Sequence, residues 1–285
     1  MRYGLAVPHF GPTARPGFVE SVAREAESLG YDSLWASDHI IVPAGAGYTP
    51  HFFYDIFITM TVMAMLTERV TVGSSVLVVP YRDPVMTARM VATLDQLSGG
   101  RVVLAVGAGG FEPEFRALGA DYEARGEVTD EYLDCMRALW TLDPVSFEGK
   151  RVRFSGMRQN PKPVQDPLPV WVGGNTRAAI RRAAGRGNGW HPINLGLEEF
   201  REKVGAYREA CAAAGVEPGP VSLRTTLGAS SGERVPFTGG PAEVASDVDA
   251  YAAAGLDELV LALPARSVEE YQSGMRDFAE EMSGT

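Results

Sequence analysis

Asp38 and His39 end a short apolar run, Ser33-Leu-Trp-Ala-Ser-Asp-His39, and an acid beside an imidazole can manage a proton near neutral pH. Upstream, residues 18–29 have helical periodicity and Gly30 reads as the stop, so residues 33–37 follow as a strand. Asp38 and His39 then stand at a strand's carboxyl end, where parallel α/β sheets present ligand-contacting groups. A histidine merely satisfied at a strand end would look the same on these residues.

A second candidate site is Val170-Trp-Val-Gly-Gly-Asn-Thr-Arg177. Gly173 and Gly174 permit close backbone approach, and Asn175 or Thr176 can cap a helix whose first amides would receive a phosphate. Arg177 and Arg181 lie four apart on one face of that helix. An ordinary glycine turn with solvated arginines fits the same residues. In Gly107-Ala-Gly-Gly110, Gly107 and Gly109 fit either a plain turn or room for a flat ring against the backbone. The cluster is not GxGxxG, and a dinucleotide fold lacks its supporting first strand and later acid. Glu112 and Glu114 follow at once, as proton donors or rim charge. Gly73, Ser74 and Ser75 put small residues inside a third strand, where they mark a ligand's approach, a local distortion or a barrel corner.

The elements that must position these residues alternate throughout the chain. Strands are expected at 2–8, 33–37, 71–79, 102–106, 169–172, 189–193, 221–227 and 258–263. Helices fit at 18–29, 55–66, 84–97, 125–142, 176–185, 197–214, 241–254 and 268–282. Eight strand–helix pairs without a break in composition imply one domain over residues 1–285, a single (β/α)8 TIM barrel. Loop insertions follow strand 4 (107–122) and precede strand 5 (143–168), the latter with a small hairpin at 145–154.

Composition narrows the function classes. The 285 residues are 45% hydrophobic and 22% charged, ordinary for a soluble enzyme. A net charge of −10 with no basic stripe argues against nucleic acid. Cys135 and Cys211 are too few for a disulfide framework, and histidines at 9, 39, 51 and 191 lack metal-ligand spacing, so no metal is expected. Met1-Arg-Tyr-Gly-Leu-Ala-Val reads as a strand rather than a signal peptide, and no apolar run reaches about 18 residues. No membrane contact and a cytoplasmic location are the expectations.

In order, Asp38-His39, Gly-Ser-Ser-Val-Leu at 73–77, Val-Gly-Ala-Gly-Gly at 106–110 and Trp-Val-Gly-Gly-Asn-Thr at 171–176 resemble the bacterial-luciferase-like flavin and deazaflavin oxidoreductases. Asn188-Gly-Trp190 looks like that family's Asp-Gly-Trp, and Tyr81-Arg-Asp-Pro84 like its proline-started helix. The likeness runs from Met1 to about Leu263 and is strongest to the branch that uses coenzyme F420.

That resemblance implies a cofactor ring at the strand ends, a phosphate at 173–176 and Trp190 in the cofactor site. It also implies a non-prolyl cis peptide at Ser75-Val76 behind the ring, and His39, held by Asp38, as the proton-handling group. The function so implied is F420-dependent hydride transfer to or from a small organic substrate, with Arg177 and Arg181 suiting the cofactor's acidic tail. The alternatives are an FMN-dependent monooxygenase using reduced flavin and oxygen, and a non-catalytic flavin-binding protein. A reductase could supply the reduced cofactor. His9, Trp35, Phe111 and Glu114 are pocket candidates, with Tyr48 on a nearby loop. Two departures matter: Asn188 replaces the usual aspartate, and Gly110 stands where the sugar-phosphate dehydrogenase branch has a glutamate. The loop at 228–240 is short for the family and suggests an open pocket. Residues 55–66 are apolar on nearly every face, which predicts a homodimer around that helix unless the loop at 40–54 covers it.

Overall fold

The computed structural model describes residues 1–11, 14, 15, 17–44, 52–227 and 236–283. Tyr48 and most of the loop at 228–240 lie outside the described residues, as does the middle of the loop at 40–54.

The chain opens with β1 (Arg2–Ala6), α1 (Phe18–Ser28), β2 (Ser33–Ala36), α2 (Ile56–Leu66), β3 (Thr71–Ser74) and β4 (Leu77–Val78). Next come α3 (Pro84–Ser98), β5 (Val102–Gly107), α4 (Glu112–Leu118), α5 (Arg125–Thr141) and the hairpin β6 (Val145–Glu148) and β7 (Arg153–Met157). It ends with β8 (Val170–Gly173), α6 (Arg177–Arg186), β9 (Gly189–His191), α7 (Leu197–Ala214), β10 (Ser222–Thr226), α8 (Pro241–Ala253), β11 (Glu258–Ala262) and α9 (Val268–Ser283).

The strands pair in the order β10-β11-β1-β2-β3-β5-β8-β9, each pair parallel. Parallel bridges Trp190–Val221 and Ile193–Arg224 join β9 to β10, which closes the (β/α)8 barrel. The expected single strand at 71–79 is broken: β3 ends at Ser74, the Ser75–Val76 peptide is cis, and β4 pairs with the end of β5. A 3-10 turn, Val79–Tyr81, then leads to α3. The first insertion, expected as loop, contains α4. The second contains the expected antiparallel hairpin.

Strand alternation divides the apolar residues between two cores. Leu34 and Ala36 of β2 face the helices, whereas Trp35 points into the barrel with Val103, Ala105, Trp171 and Val260. Gly73 faces this interior for a packing reason: a Cβ there would strike the Trp35 ring. Local chemistry fixes the helix ends. Asp55 accepts from the Phe57 and Ile58 amides at 2.9 and 3.1 Å to start α2. Asp83, ahead of Pro84, does the same for α3.

Candidate active site

Two adjoining cavities of about 530 and 500 Å³ open at the carboxyl ends of the strands. They share Ser75, Val76, Gly109, Ile193 and Arg224. The first runs from Val76 past Gly173 and Gly174 to the start of α6, with Arg125 and Arg182 at that end. Phe10, Phe53, Phe111 and Tyr81 wall the second, which His39 also lines.

Three contacts hold Ser75 at their junction. Its amide donates to the Ala36 carbonyl (2.6 Å), its carbonyl accepts from Arg224 Nη1 (2.9 Å), and its Oγ lies 2.8 Å from His191 Nε2. Arg224 also donates to Ser37 Oγ at 3.0 Å. His191 Nδ1 lies 3.2 Å from Ser222 Oγ, and its ring stacks on Trp35 with centroids 4.8 Å apart. Burial, with the Arg224 charge acting the same way, pushes the His191 pKa down to about 3, so the ring is neutral.

Val76 forms an apolar floor, and it explains the glycines around it. A Cβ on Gly107 would come within 2.8 Å of Val76 Cγ2, and one on Gly173 would strike Val76 Cγ1. Gly109 has φ +74° and a Cβ there would meet Val78 and Phe115 at 2.7 and 2.8 Å. These three line the cleft as expected, but their missing side chains make room for protein rather than for a ligand. Gly174 is different. At φ +106°, a Cβ there would face only Ala179, at 3.5 Å, so the chain around it leaves space.

His39 is not held by Asp38. Asp38 is buried in a bidentate pair with Arg82, at 2.6 and 2.8 Å, and accepts from the Val78 amide at 2.9 Å. Burial raises the Asp38 pKa above the ordinary carboxylate value, and the Arg82 guanidinium and the Val78 amide oppose that rise. These bonds tie the β2 loop to the turn after β4. His39 Nδ1 instead lies 2.8 Å from Glu114 Oε2, on the first turn of α4. Glu114 is fully buried and also takes the Tyr81 hydroxyl at 3.0 Å and the Ile40 and Ile41 amides at 2.6 and 3.1 Å. Burial alone would raise its pKa, but the hydrogen bonds from His39 and the two amides bring it below the usual carboxylate value.

Other expected site residues also move. Glu114 therefore sits beneath the pocket wall, not on it. His9 is sealed, with ring nitrogens 3.0 and 2.9 Å from the Val7 and Ser37 carbonyls. Trp35 fills the barrel interior below the cleft. Phe111 does line the second cavity. Asn175 turns from the cleft to clasp Ile193, donating to its carbonyl at 2.7 Å and accepting from its amide at 3.0 Å. Thr176 lines the cleft and caps α6 through the Ala179 amide.

Arg177 and Arg181 sit in a separate groove between α6 and α7, beside Glu202 and Glu209. Besides Arg224 at the junction, the first cavity is lined by Arg125, 4.1 Å above the Tyr122 ring, and Arg182, which donates to Asp130 at 2.6 Å. Trp190 is buried behind the cleft, where its indole N–H donates to the Gly174 carbonyl at 3.0 Å. Its neighbour His191 lines the cavity in its place. Asn188 accepts from the Val170 amide at 2.7 Å, a bond the usual aspartate could also make. Arg182 belongs to the arginine cluster of the α6 sequence, whereas no motif marks Arg125 or Arg224, and alternation along β9 is the signal that points to His191.

The residues present fit a flat ring carrying a phosphate. Val76 supplies an apolar floor, Gly174 leaves open space, and the first turn of α6 with Arg125 and Arg182 offers donors and positive charge at one end. Residues 1–234 match the luciferase-like monooxygenase family model, and the chain belongs to that family. It is 33% identical over 203 residues to an FMNH2-dependent dimethylsulfone monooxygenase of Pseudomonas putida, across 70% of this chain and 54% of that one. To an F420-dependent glucose-6-phosphate dehydrogenase of Amycolatopsis mediterranei it is 31% identical over 208 residues, covering 71% and 60%. The chain thus spans less than two thirds of either relative's length. An uncharacterized Mycobacterium tuberculosis protein, Rv0953c, is 28% identical across 95% of this chain and 94% of its own. The monooxygenase RslO1 of Streptomyces bottropensis superposes with a TM-score of 0.85 at 21% identity, covering 100% and 99%. An F420-dependent secondary alcohol dehydrogenase does so with 0.82 at 19%, covering 98% and 97%. Both share the fold. The named relatives and neighbours thus include both FMNH2-dependent and F420-dependent enzymes.

Proposed function

We propose that this chain is an F420-dependent oxidoreductase that moves a hydride between the deazaflavin and a small organic substrate. The observation that carries this is the junction of the two cavities over Val76, with His39 lining one side and Arg125 and Arg182 at the far end of the other. The bound cofactor would supply the hydride chemistry; the protein's part is to orient it and to manage one proton. Gly174, Thr176, Arg125 and Arg182 would hold the phosphate. The charge that Arg177 and Arg181 were expected to give an acidic tail falls instead to Arg125 and Arg182. The 31% identity to an F420-dependent dehydrogenase supports this choice. A second reading, an FMN-dependent monooxygenase, rests on the 33% identity to the dimethylsulfone enzyme.

Phe10, Phe53 and Phe111 around His39 favour a substrate with an apolar body, and His39 exchanges the proton with its polar group. Replacing His39 with Ala is expected to leave cofactor affinity unchanged and slow turnover by about 10²–10⁴-fold, the usual contribution of a proton-transfer group. A folded variant with full activity on a verified substrate would make His39 structural. We also infer a homodimer formed around α2, on which Ile58 is 68% and Met65 58% exposed.

A further inference from the structure

Glu114 receives four contacts on two oxygens. Oε1 accepts the Ile40 and Ile41 amides, while Oε2 accepts the Tyr81 hydroxyl and lies 2.8 Å from His39 Nδ1. An ionised carboxylate can only accept hydrogen bonds, so Nδ1 must carry the hydrogen when the ring is neutral, and Nε2 becomes the basic nitrogen. The acid next to His39 in sequence cannot do this, because Arg82 and the Val78 amide occupy Asp38.

We propose that Glu114 is a positioning residue that fixes His39 as its Nδ1–H tautomer, so that proton exchange with substrate runs through Nε2. This deepens, and its catalytic half rests on, the reading of His39 as the proton-handling group. Tyr81 is a supporting donor, bonded to the same carboxylate oxygen but making no such demand on the imidazole.

The Glu114→Gln variant reverses the polarity without changing the shape. The Ile40 and Ile41 amides pin the side-chain oxygen of Gln, because turning the amide round would set its NH2 against two N–H donors. The NH2 then faces His39 and Tyr81, with one hydrogen for Nδ1 and one for the Tyr81 oxygen. His39 must switch to the Nε2–H tautomer, and every buried polar atom keeps a partner, so the variant should fold.

The direct test is NMR of protein labelled with 15N-histidine, at about pH 9, where ordinary imidazoles are neutral. The His39 signals are those lost in His39→Ala. Wild type and Tyr81→Phe should show Nδ1–H, and Glu114→Gln should show Nε2–H. On a verified substrate, Glu114→Gln should lower kcat about 10²-fold or more with cofactor affinity unchanged. Wild-type protein in the Nε2–H form would overturn the proposal without any variant. Persistence of Nδ1–H in a folded Gln variant would do so too. Full turnover in His39→Ala would overturn the catalytic half alone, since the tautomer is read without substrate.

Discussion

An imidazole shut away from water, stacked on an indole and set near a guanidinium is most stable without a charge, which is the situation of His191. Its pKa falls from the ordinary 6.5 to about 3, so an unfolded chain takes up this proton at a higher pH than the folded protein does. Stability is then complete above about pH 6.5 and is lost as the pH falls towards 3, by about 2 kcal/mol between pH 7 and pH 5. Urea unfolding of wild type and His191→Gln at those two pH values should give a steeper loss for wild type. Equal slopes would mean that His191 titrates normally. The same scale explains why Asp38 was misread. Neighbours along an extended chain point to opposite sides, so adjacency in sequence argues against Asp38 reaching His39, and the true partner is Glu114, 75 residues on.

The cleft floor is a property of elements, in which β4, β5 and β8 converge on the Val76 side chain. Gly173→Ala would drive a Cβ into Val76 and is expected to destabilise the protein by about 1–3 kcal/mol, as overpacked sites do. Adding Val76→Ala should recover part of that loss in thermal melts; strictly additive losses would mean that the two residues do not compete for space. Most elements were legible because apolar period and helix stops agree, as at Gly30 and Gly215. The break after Ser74 was not legible from periodicity, because Val76-Leu-Val-Val79 continues an apolar run; only the family likeness placed the cis bond at Ser75-Val76. Helix α4 was missed because it spans just Glu112–Leu118 and contains a proline in its first turn. The candidate phosphate turn was legible from Gly174 and Thr176, yet which arginines serve it depends on how α5 packs beside α6. That packing brings Arg125 and Arg182 to the cleft and leaves Arg177 on the far face.

At the scale of the whole molecule, the closed barrel gives one face to ligand chemistry and leaves α2 with apolar residues turned outward. Changing Ile58 and Met65 to Lys should shift a homodimer towards monomer in sedimentation velocity at micromolar concentration, with the cofactor cleft intact. Wild-type protein that sediments as a monomer would remove the dimer. With a net charge of −10, Arg125 and Arg182 at the α6 end of the cleft, together with Arg224 at the cavity junction, set guanidinium groups around the cleft of an acidic molecule. In the proposed function, this site and the Val76 floor hold F420. Equilibrium titration of wild type, Arg182→Met and Arg177→Met with F420 and with FMN tests it most directly. The expected result is saturable F420 binding tighter than FMN binding, weakened at least tenfold by Arg182→Met and unchanged by Arg177→Met. Binding of FMN in preference to F420, or F420 affinity that depends on Arg177 and not on Arg182, would contradict it.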